Sequence, residues 1–275
     1  MQKNFNDLEG KTVIVTGGNR GIGQEIAIDF AQLGANVIVI ARDKDSLDKT
    51  LDILNESSGQ HTVYALDMTQ IDQLSKVIDA IISKYGKIDV LVNNAGINIS
   101  KPAFEIEEND WENVLDINLK SLFFISKFVG KYMAQEQRGK IVNMASQVGF
   151  VGYFDRAPYA SSKGGVIQLT KALAVEWAQY NINVNAIAPT FVETELTEKM
   201  FKNEAFKEDV SIHSKFDNSS ILFRPILEIF KNENTFVWLL CALSYNSLTL
   251  SAPQLPASTI VVTPCFTPIS SISSP

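Results

Sequence analysis

The stretch TVIVTGGNRGIGQEIA, Thr12 to Ala27, decides the fold. It opens with a run of β-branched apolar residues, the composition of a buried strand. Gly17, Gly21 and Gly23 follow in a G-x-x-x-G-x-G spacing. An amphipathic helical pattern then begins at about residue 22. Glycines at a strand-to-helix turn permit a tight bend and let backbone N–H groups approach an anion. The helix starting near Gly21 offers its positive end to the same anion. A bare glycine-rich turn that binds nothing is the plain alternative. The position in the first βα turn favours a pyrophosphate site.

Working outward, the same alternation repeats. Apolar runs stand at 12–16, 36–41, 62–67, 88–93, 140–145 and 183–188. Amphipathic stretches lie between them, at about 22–33, 44–56, 70–85, 110–136 and 158–179. Strand–helix alternation of this kind predicts an α/β, doubly wound parallel sheet of the Rossmann type. The right-handed crossover rule puts the carboxyl ends of the strands on one edge, where ligands bind.

Composition narrows the function. The chain has 275 residues, of which 45% are hydrophobic and 20% charged, as in a soluble globular domain. A net charge of -7 argues against a nucleic-acid surface. The first residues carry no apolar leader, and no run of about 18 apolar residues appears before residue 235. The expectation is therefore a cytoplasmic protein that does not span a membrane. Cys241 and Cys265 give neither a disulfide framework nor a zinc pattern. With only His61 and His213 as histidines, no metal site is expected.

The end of the second strand bears on the cofactor. An NAD site usually has an acid there for the ribose 2′-hydroxyl. Here Ala41 and Arg42 stand at that point, with Asp43 next. Arg42 and Arg20 suit a 2′-phosphate better than a hydroxyl, so NADP(H) is preferred and NAD(H) remains possible. Each arginine is otherwise an ordinary exposed cation. Asp67 ends the third strand, either as an acceptor for an adenine amino group or beside a capping box at residues 69–72. NNAG at 93–96 ends the fourth strand. Its asparagines can fix the loop beneath a cofactor, and Ala95 and Gly96 are small enough not to obstruct it.

The stretch SQVGFVGYFDRAPYASSK, Ser146 to Lys163, holds a serine thirteen residues before Tyr159 and a lysine four residues after it. Tyr159 and Lys163 share one helix face at that spacing. Alone, they read equally as a half-buried tyrosine beside a snorkelling lysine.

Taken together, TGGNRGIG (16–23), LDMT (66–69), NNAG (93–96), DINLKSLF (116–123), Ser146, YASSK (159–163) and NAIAPTFVET (185–194) resemble the short-chain dehydrogenase/reductase family. The resemblance covers about residues 8–210. Within the family the chain looks most like gluconate 5-dehydrogenases and 3-oxoacyl-[acyl-carrier-protein] reductases. It implies a catalytic set of Asn118, Ser146, Tyr159 and Lys163. In that set Tyr159 exchanges a proton with the substrate oxygen, its acidity raised by Lys163 and the oxidised nicotinamide. Ser146 hydrogen-bonds the same oxygen. Lys163 also holds the nicotinamide ribose, and Asn118 supports a water chain. The implied cofactor set is Gly17, Asn19, Arg20, Gly21, Ile22, Gly23, Arg42, Asp67, Met68, Asn94, Ala95, Gly96, Tyr159, Lys163, Pro189, Val192 and Thr194. Ser146, Gln147 and Tyr159 face the substrate, a small carbonyl or alcohol compound. A homotetramer or homodimer is implied.

The pattern changes after about residue 210. All 15 glycines lie at or before Gly165, and no charged residue occurs from Thr235 to Pro275. The expected division is a catalytic and dinucleotide-binding domain at 1–210 and an atypical Ser/Pro-rich, glycine-free segment at 211–275. A reading-frame shift is the favoured explanation, ahead of a low-complexity tail or an anchor at 235–252. STIVV at 258–262 is the one strand-like run expected to shield the outer edge of the sixth strand. The alternative function is then a dinucleotide-binding chain with impaired catalysis.

Overall fold

The fold is seen in a computed structural model, which describes residues 8–189 and 239–241. Each apolar run forms a strand: β1 Thr12–Thr16, β2 Asn36–Ala41, β3 Thr62–Ala65, β4 Val90–Asn93, β5 Gly139–Met144 and β6 Ile182–Ala188. A short β7 follows at Leu239–Cys241. Four helices match the expected stretches: α1 Gly21–Gln32, α2 Lys44–Leu54, α3 Ile71–Tyr85 and α6 Ala157–Trp177. The long stretch at 110–136 is not one helix. It divides into α4 Glu108–Leu115, a π turn Asp116–Lys120 and α5 Ser121–Gln135.

The strands form one parallel sheet in the order β3-β2-β1-β4-β5-β6-β7. The order reverses between β1 and β4, and the crevice outside that reversal is the ligand position of a doubly wound sheet. The strands are apolar on both faces because helices cover both. Val13, Val15, Val37 and Val39 pack one way, against Ile26, Phe30 and Leu47. Ile14, Ile38, Ile40 and Leu91 pack the other way, against Leu74, Ile78 and Ile125. All of these are buried, and each contributes about 1.5–3 kcal/mol relative to exposure.

Two local expectations fail for one reason. β3 ends at Ala65, short of residue 67, and no capping box forms at 69–72. The Asp67 Oδ1 accepts from the Thr69 N–H at 2.9 Å and from its hydroxyl at 2.8 Å. This turn ends the strand and occupies Thr69. α3 therefore starts after Gln70, which makes no side-chain cap.

The outer edge of β6 also differs from expectation. β7 pairs with it in parallel, Ala186 opposite Leu239 and Ala188 opposite Cys241. The partner strand thus comes from the uncharged apolar run around residue 240, where an anchor was one option. The 258–262 run lies outside the described residues. Among the described residues, no helix is long and apolar enough to cross a membrane.

Candidate active site

The glycine loop is shaped by positions that exclude a side chain. Gly17 and Gly21 have φ of +63° and +53°, the left-handed region. A Cβ on Gly17 would stand 2.9 Å from the Ala95 Cα. A Cβ on Gly23 would collide with the Asn94 side chain and the Gly17 carbonyl. Asn94 fills that space for a purpose. Its amide donates to the Thr16 carbonyl at 3.1 Å and the Gly17 carbonyl at 3.0 Å. The Thr16 hydroxyl accepts in return from the Asn94 and Ala95 N–H groups, each at 3.0 Å. The loops after β1 and β4 are thereby joined beneath the crevice. α1 begins at Gly21 with no side-chain cap and no acid in its first turn, so its N–H groups face outward.

A cleft of about 790 Å³ opens above this loop. Its walls hold Gly17, Asn19, Arg20, Gly21, Ile22, Gly23, Arg42, Asp67, Met68, Asn94, Ala95 and Gly96, twelve of the sequence-predicted positions. Arg20 and Arg42 are both exposed. Asp43 does not oppose them freely. It caps α2, its Oδ1 accepting from the Ser46 N–H at 2.8 Å. Those Ser46 hydrogen bonds, with Lys49 and Arg20 nearby, hold its carboxyl below the ordinary aspartate value. Sequence reading missed Ser46 and Lys49, which also line the cleft. The available signal was helical spacing, since Ser46, Lys49 and Thr50 share one face of α2. Asn19 donates to the Ser46 hydroxyl at 2.7 Å and so ties the glycine loop to that face.

The catalytic candidates stand behind the Gly96 end of the cleft. Lys163 is buried, and its Nζ donates to the Met144 carbonyl at 2.6 Å. Burial lowers its pKa to about 8. Its Nζ lies 5.7 Å from the Tyr159 ring centroid. Burial raises the Tyr159 phenol above the usual tyrosine value, against a hydrogen bond with Ser146 and the charge of Arg156. In the protein alone, burial outweighs the groups that lower the phenol. Arg156, missed from sequence, starts α6 and sits 5.6 Å from the Tyr153 ring.

Ser146 follows β5 in extended backbone, half-buried, at the start of a short turn through Gly149. Gln147 donates its N–H to the Pro189 carbonyl at 3.0 Å, which sets the end of β6 beside Ser146. Val192 and Thr194 lie outside the described residues.

Asn118 sits buried in the π turn, a break that re-aims one residue of an otherwise continuous helix. Its Oδ1 accepts from the Ile97 N–H at 2.8 Å, and its Nδ2 donates to the Ile97 carbonyl at 2.9 Å. The remaining amide proton goes to the Ser162 hydroxyl at 3.0 Å. Both amide protons are therefore engaged within the protein. Gly96 joins the two halves. A Cβ there would lie 3.1 Å from the Asn118 Oδ1 and 3.6 Å from the Lys163 Nζ. Among the described residues, no group of three or more acidic, histidine or cysteine side chains is placed to hold a metal.

Comparison with known proteins identifies the family of the sequence. The family model described as short chain dehydrogenase matches residues 11–205. A 3-oxoacyl-[acyl-carrier-protein] reductase from Thermotoga maritima is 43% identical over 193 residues, 70% of this chain and 78% of that protein. A 2-dehydro-3-deoxy-D-gluconate 5-dehydrogenase from Escherichia coli is 37% identical over 198 residues, 72% of this chain and 78% of the other. Among solved structures, an NAD+-bound xylitol dehydrogenase superposes with a TM-score of 0.69 at 32% identity, covering 72% of this chain and 77% of that one. A protein assigned as an NAD(P)-dependent gluconate 5-dehydrogenase from Beutenbergia cavernae, with bound NADP, gives 0.78 at 29% identity, covering 86% and 96%.

Proposed function

The chain belongs to the short-chain dehydrogenase family, and from that premise we propose that it transfers hydride reversibly between NADP(H) and a ketone or secondary alcohol. The observation that carries this reading is the meeting at Gly96. Gly96 lines the cleft above the glycine loop, and a side chain there would meet both Asn118 and Lys163. The substrate class is a sugar, polyol or 3-oxoacyl compound, as the names of the relatives suggest. Residues 1–210 are taken as the working unit.

The cradle fits a dinucleotide. Gly17 and Gly23 let the loop pack directly on Ala95 and Asn94, which holds it in a tight turn, and the uncapped start of α1 suits a pyrophosphate. Arg20, Arg42 and Lys49 give the far end of the cleft three cations, while Asp43 is engaged with Ser46. This favours a 2′-phosphate. When bound, NADPH supplies the hydride that adds to a carbonyl carbon, and NADP+ accepts it in reverse.

The protein's own groups handle the oxygen. The Tyr159 phenol donates its proton to the carbonyl oxygen as negative charge develops there, and takes it back in the oxidative direction. The Ser146 hydroxyl, already bonded to the phenol, donates to the same oxygen. The Lys163 ammonium, fixed by the Met144 carbonyl, supplies positive charge to the buried side of the phenol. Asn118 holds the Ile97 backbone and so fixes the loop that carries Gly96.

The test is initial-rate measurement with NADPH and with NADH against a panel of 3-oxoacyl esters, keto-sugar acids and ketoses. The reading expects turnover of at least one ketone, faster with NADPH at subsaturating cofactor. Equal dissociation constants for the two cofactors would overturn the NADP preference. Binding of NADPH with no turnover of any ketone would instead favour a dinucleotide-binding role without catalysis.

A further inference from the structure

Ser162 stands between Tyr159 and Lys163 in sequence and is completely buried. Its hydroxyl donates to the Tyr159 backbone carbonyl at 2.7 Å. The same oxygen accepts from the Asn118 Nδ2 at 3.0 Å. One hydroxyl therefore donates within the catalytic helix and accepts from the π turn. A hydroxyl so fixed at both ends has a single orientation. Asn118 in turn is closed on Ile97 by two hydrogen bonds. The result is a chain from the loop after β4, through the π turn, to the turn of α6 that carries Tyr159 and Lys163.

Packing leaves that chain little freedom. A Cβ on Gly165 would stand 2.7 Å from Leu119 of the π turn, and one on Gly149 would stand 2.8 Å from the Lys163 carbonyl carbon. α6 thus lies close against both neighbours, so the polar contact at Ser162 sets their register rather than bridging a gap. A buried serine bonding to the carbonyl three residues back also competes with the helix ladder and bends the turn locally.

We infer that Ser162 is a positioning residue, registering the Tyr159–Lys163 turn against Asn118. The inference rests on the proposed catalytic set. Its hydroxyl is engaged with Tyr159 and Asn118, so it acts indirectly, through them.

The same helix provides a matched control. Thr170 is also completely buried, donates to the Val166 carbonyl at 2.7 Å and accepts from Asn143 at 2.9 Å. Its chemistry equals that of Ser162, but its partners lie away from Tyr159. The experiment compares Ser162→Ala with Thr170→Val for kcat, KM, pH profile and thermal midpoint, using NADPH and a ketone substrate. Both variants are expected to lose stability similarly. Only Ser162→Ala is expected to lower kcat, by about tenfold with little change in KM, and to shift the pH midpoint of kcat. Equal effects of the two variants on kcat and on the pH midpoint would overturn the inference. Hydrogen exchange across residues 116–120 is the second readout, independent of turnover. Ser162→Ala should speed it and Thr170→Val should not. If no ketone is turned over, the functional reading fails, and exchange alone decides whether Ser162 registers the π turn. Unchanged exchange in Ser162→Ala would sink the positioning role in that case.

Discussion

The two ends of the cleft are built by different means. At the glycine loop, the work is done by backbone and by space kept free of side chains. Gly17 and Gly23 let Ala95 and Asn94 pack directly on the loop, and Asn94 fixes it through main-chain carbonyls. At the catalytic end, buried side chains bond to one another and to carbonyls: Asn118 to Ser162, Ser162 to Tyr159, Lys163 to Met144. The difference teaches where each end should fail. A substitution in the first should harm binding sterically. At the second, loss of the Tyr159 hydroxyl should harm turnover while leaving binding largely intact.

The largest effect is expected at Tyr159. Tyr159→Phe removes only a hydroxyl and keeps the ring. Turnover should fall by about a thousandfold, the size of a general acid–base contribution, with the NADPH dissociation constant nearly unchanged. A comparable loss in binding would erase the contrast between the two ends. Gly23→Ala tests the opposite end. The new methyl meets the Asn94 side chain and a carbonyl of the loop itself. NADPH binding should weaken by roughly a hundredfold, the cost of overpacking a rigid site. Titration calorimetry measures it, and circular dichroism checks that the chain remains folded. Undiminished affinity would mean that the loop is not the cradle.

Lys163 sharpens the comparison, because the catalytic end holds a charge at the expense of stability. Burial lowers its pKa to about 8 from 10.5. The folded state therefore gives up this proton more readily than the unfolded state. Stability should be reduced below about pH 8 and should recover as pH rises from 8 to 10.5. Lys163→Met should remove that rise. At pH 7 it should stabilise the fold by about 2 kcal/mol, the desolvation cost less about one lost hydrogen bond, while abolishing turnover. Urea unfolding at pH 7 and pH 9.5 measures both. Destabilisation at pH 7 would show that the buried ammonium is well compensated.

The smallest effect concerns the exposed cations. Ala41→Asp with Arg42→Ala should move preference toward NADH by about tenfold, roughly one charge-assisted contact. Competitive binding of the two cofactors measures it. No change would assign the 2′-phosphate contact to Arg20 or Lys49 instead.

What was legible in the sequence follows the same division. The strands and the glycine loop could be read because buried parallel strands need apolar runs and the loop needs glycines at fixed spacing. The spacing of Tyr159 and Lys163 could be read because a helix face repeats. The π turn could not, since a single re-aimed residue leaves no periodic mark in DINLK. Ser162 and Thr170 look alike in sequence, and only the partners brought by α5, the π turn and β5 distinguish them. Asp67 was open between ligand and capping roles, and hydrogen bonds to Thr69 show its present engagement, while the cap that Asp43 makes to Ser46 was not foreseen. Leu239–Cys241 escaped notice as a strand because an uncharged run has no alternation to betray its pairing.

The most direct test of the whole scheme follows a label. NADPH carrying deuterium at the transferable position is incubated with a ketone that the protein reduces, and the alcohol is analysed by mass spectrometry. One deuterium should appear on the carbinol carbon with the unmodified protein. None above background should appear with Tyr159→Phe, although that variant still binds NADPH. Efficient deuterium transfer by Tyr159→Phe, or bound NADPH with no transfer by the unmodified protein, would contradict the proposal that the two ends of the cleft work as one site.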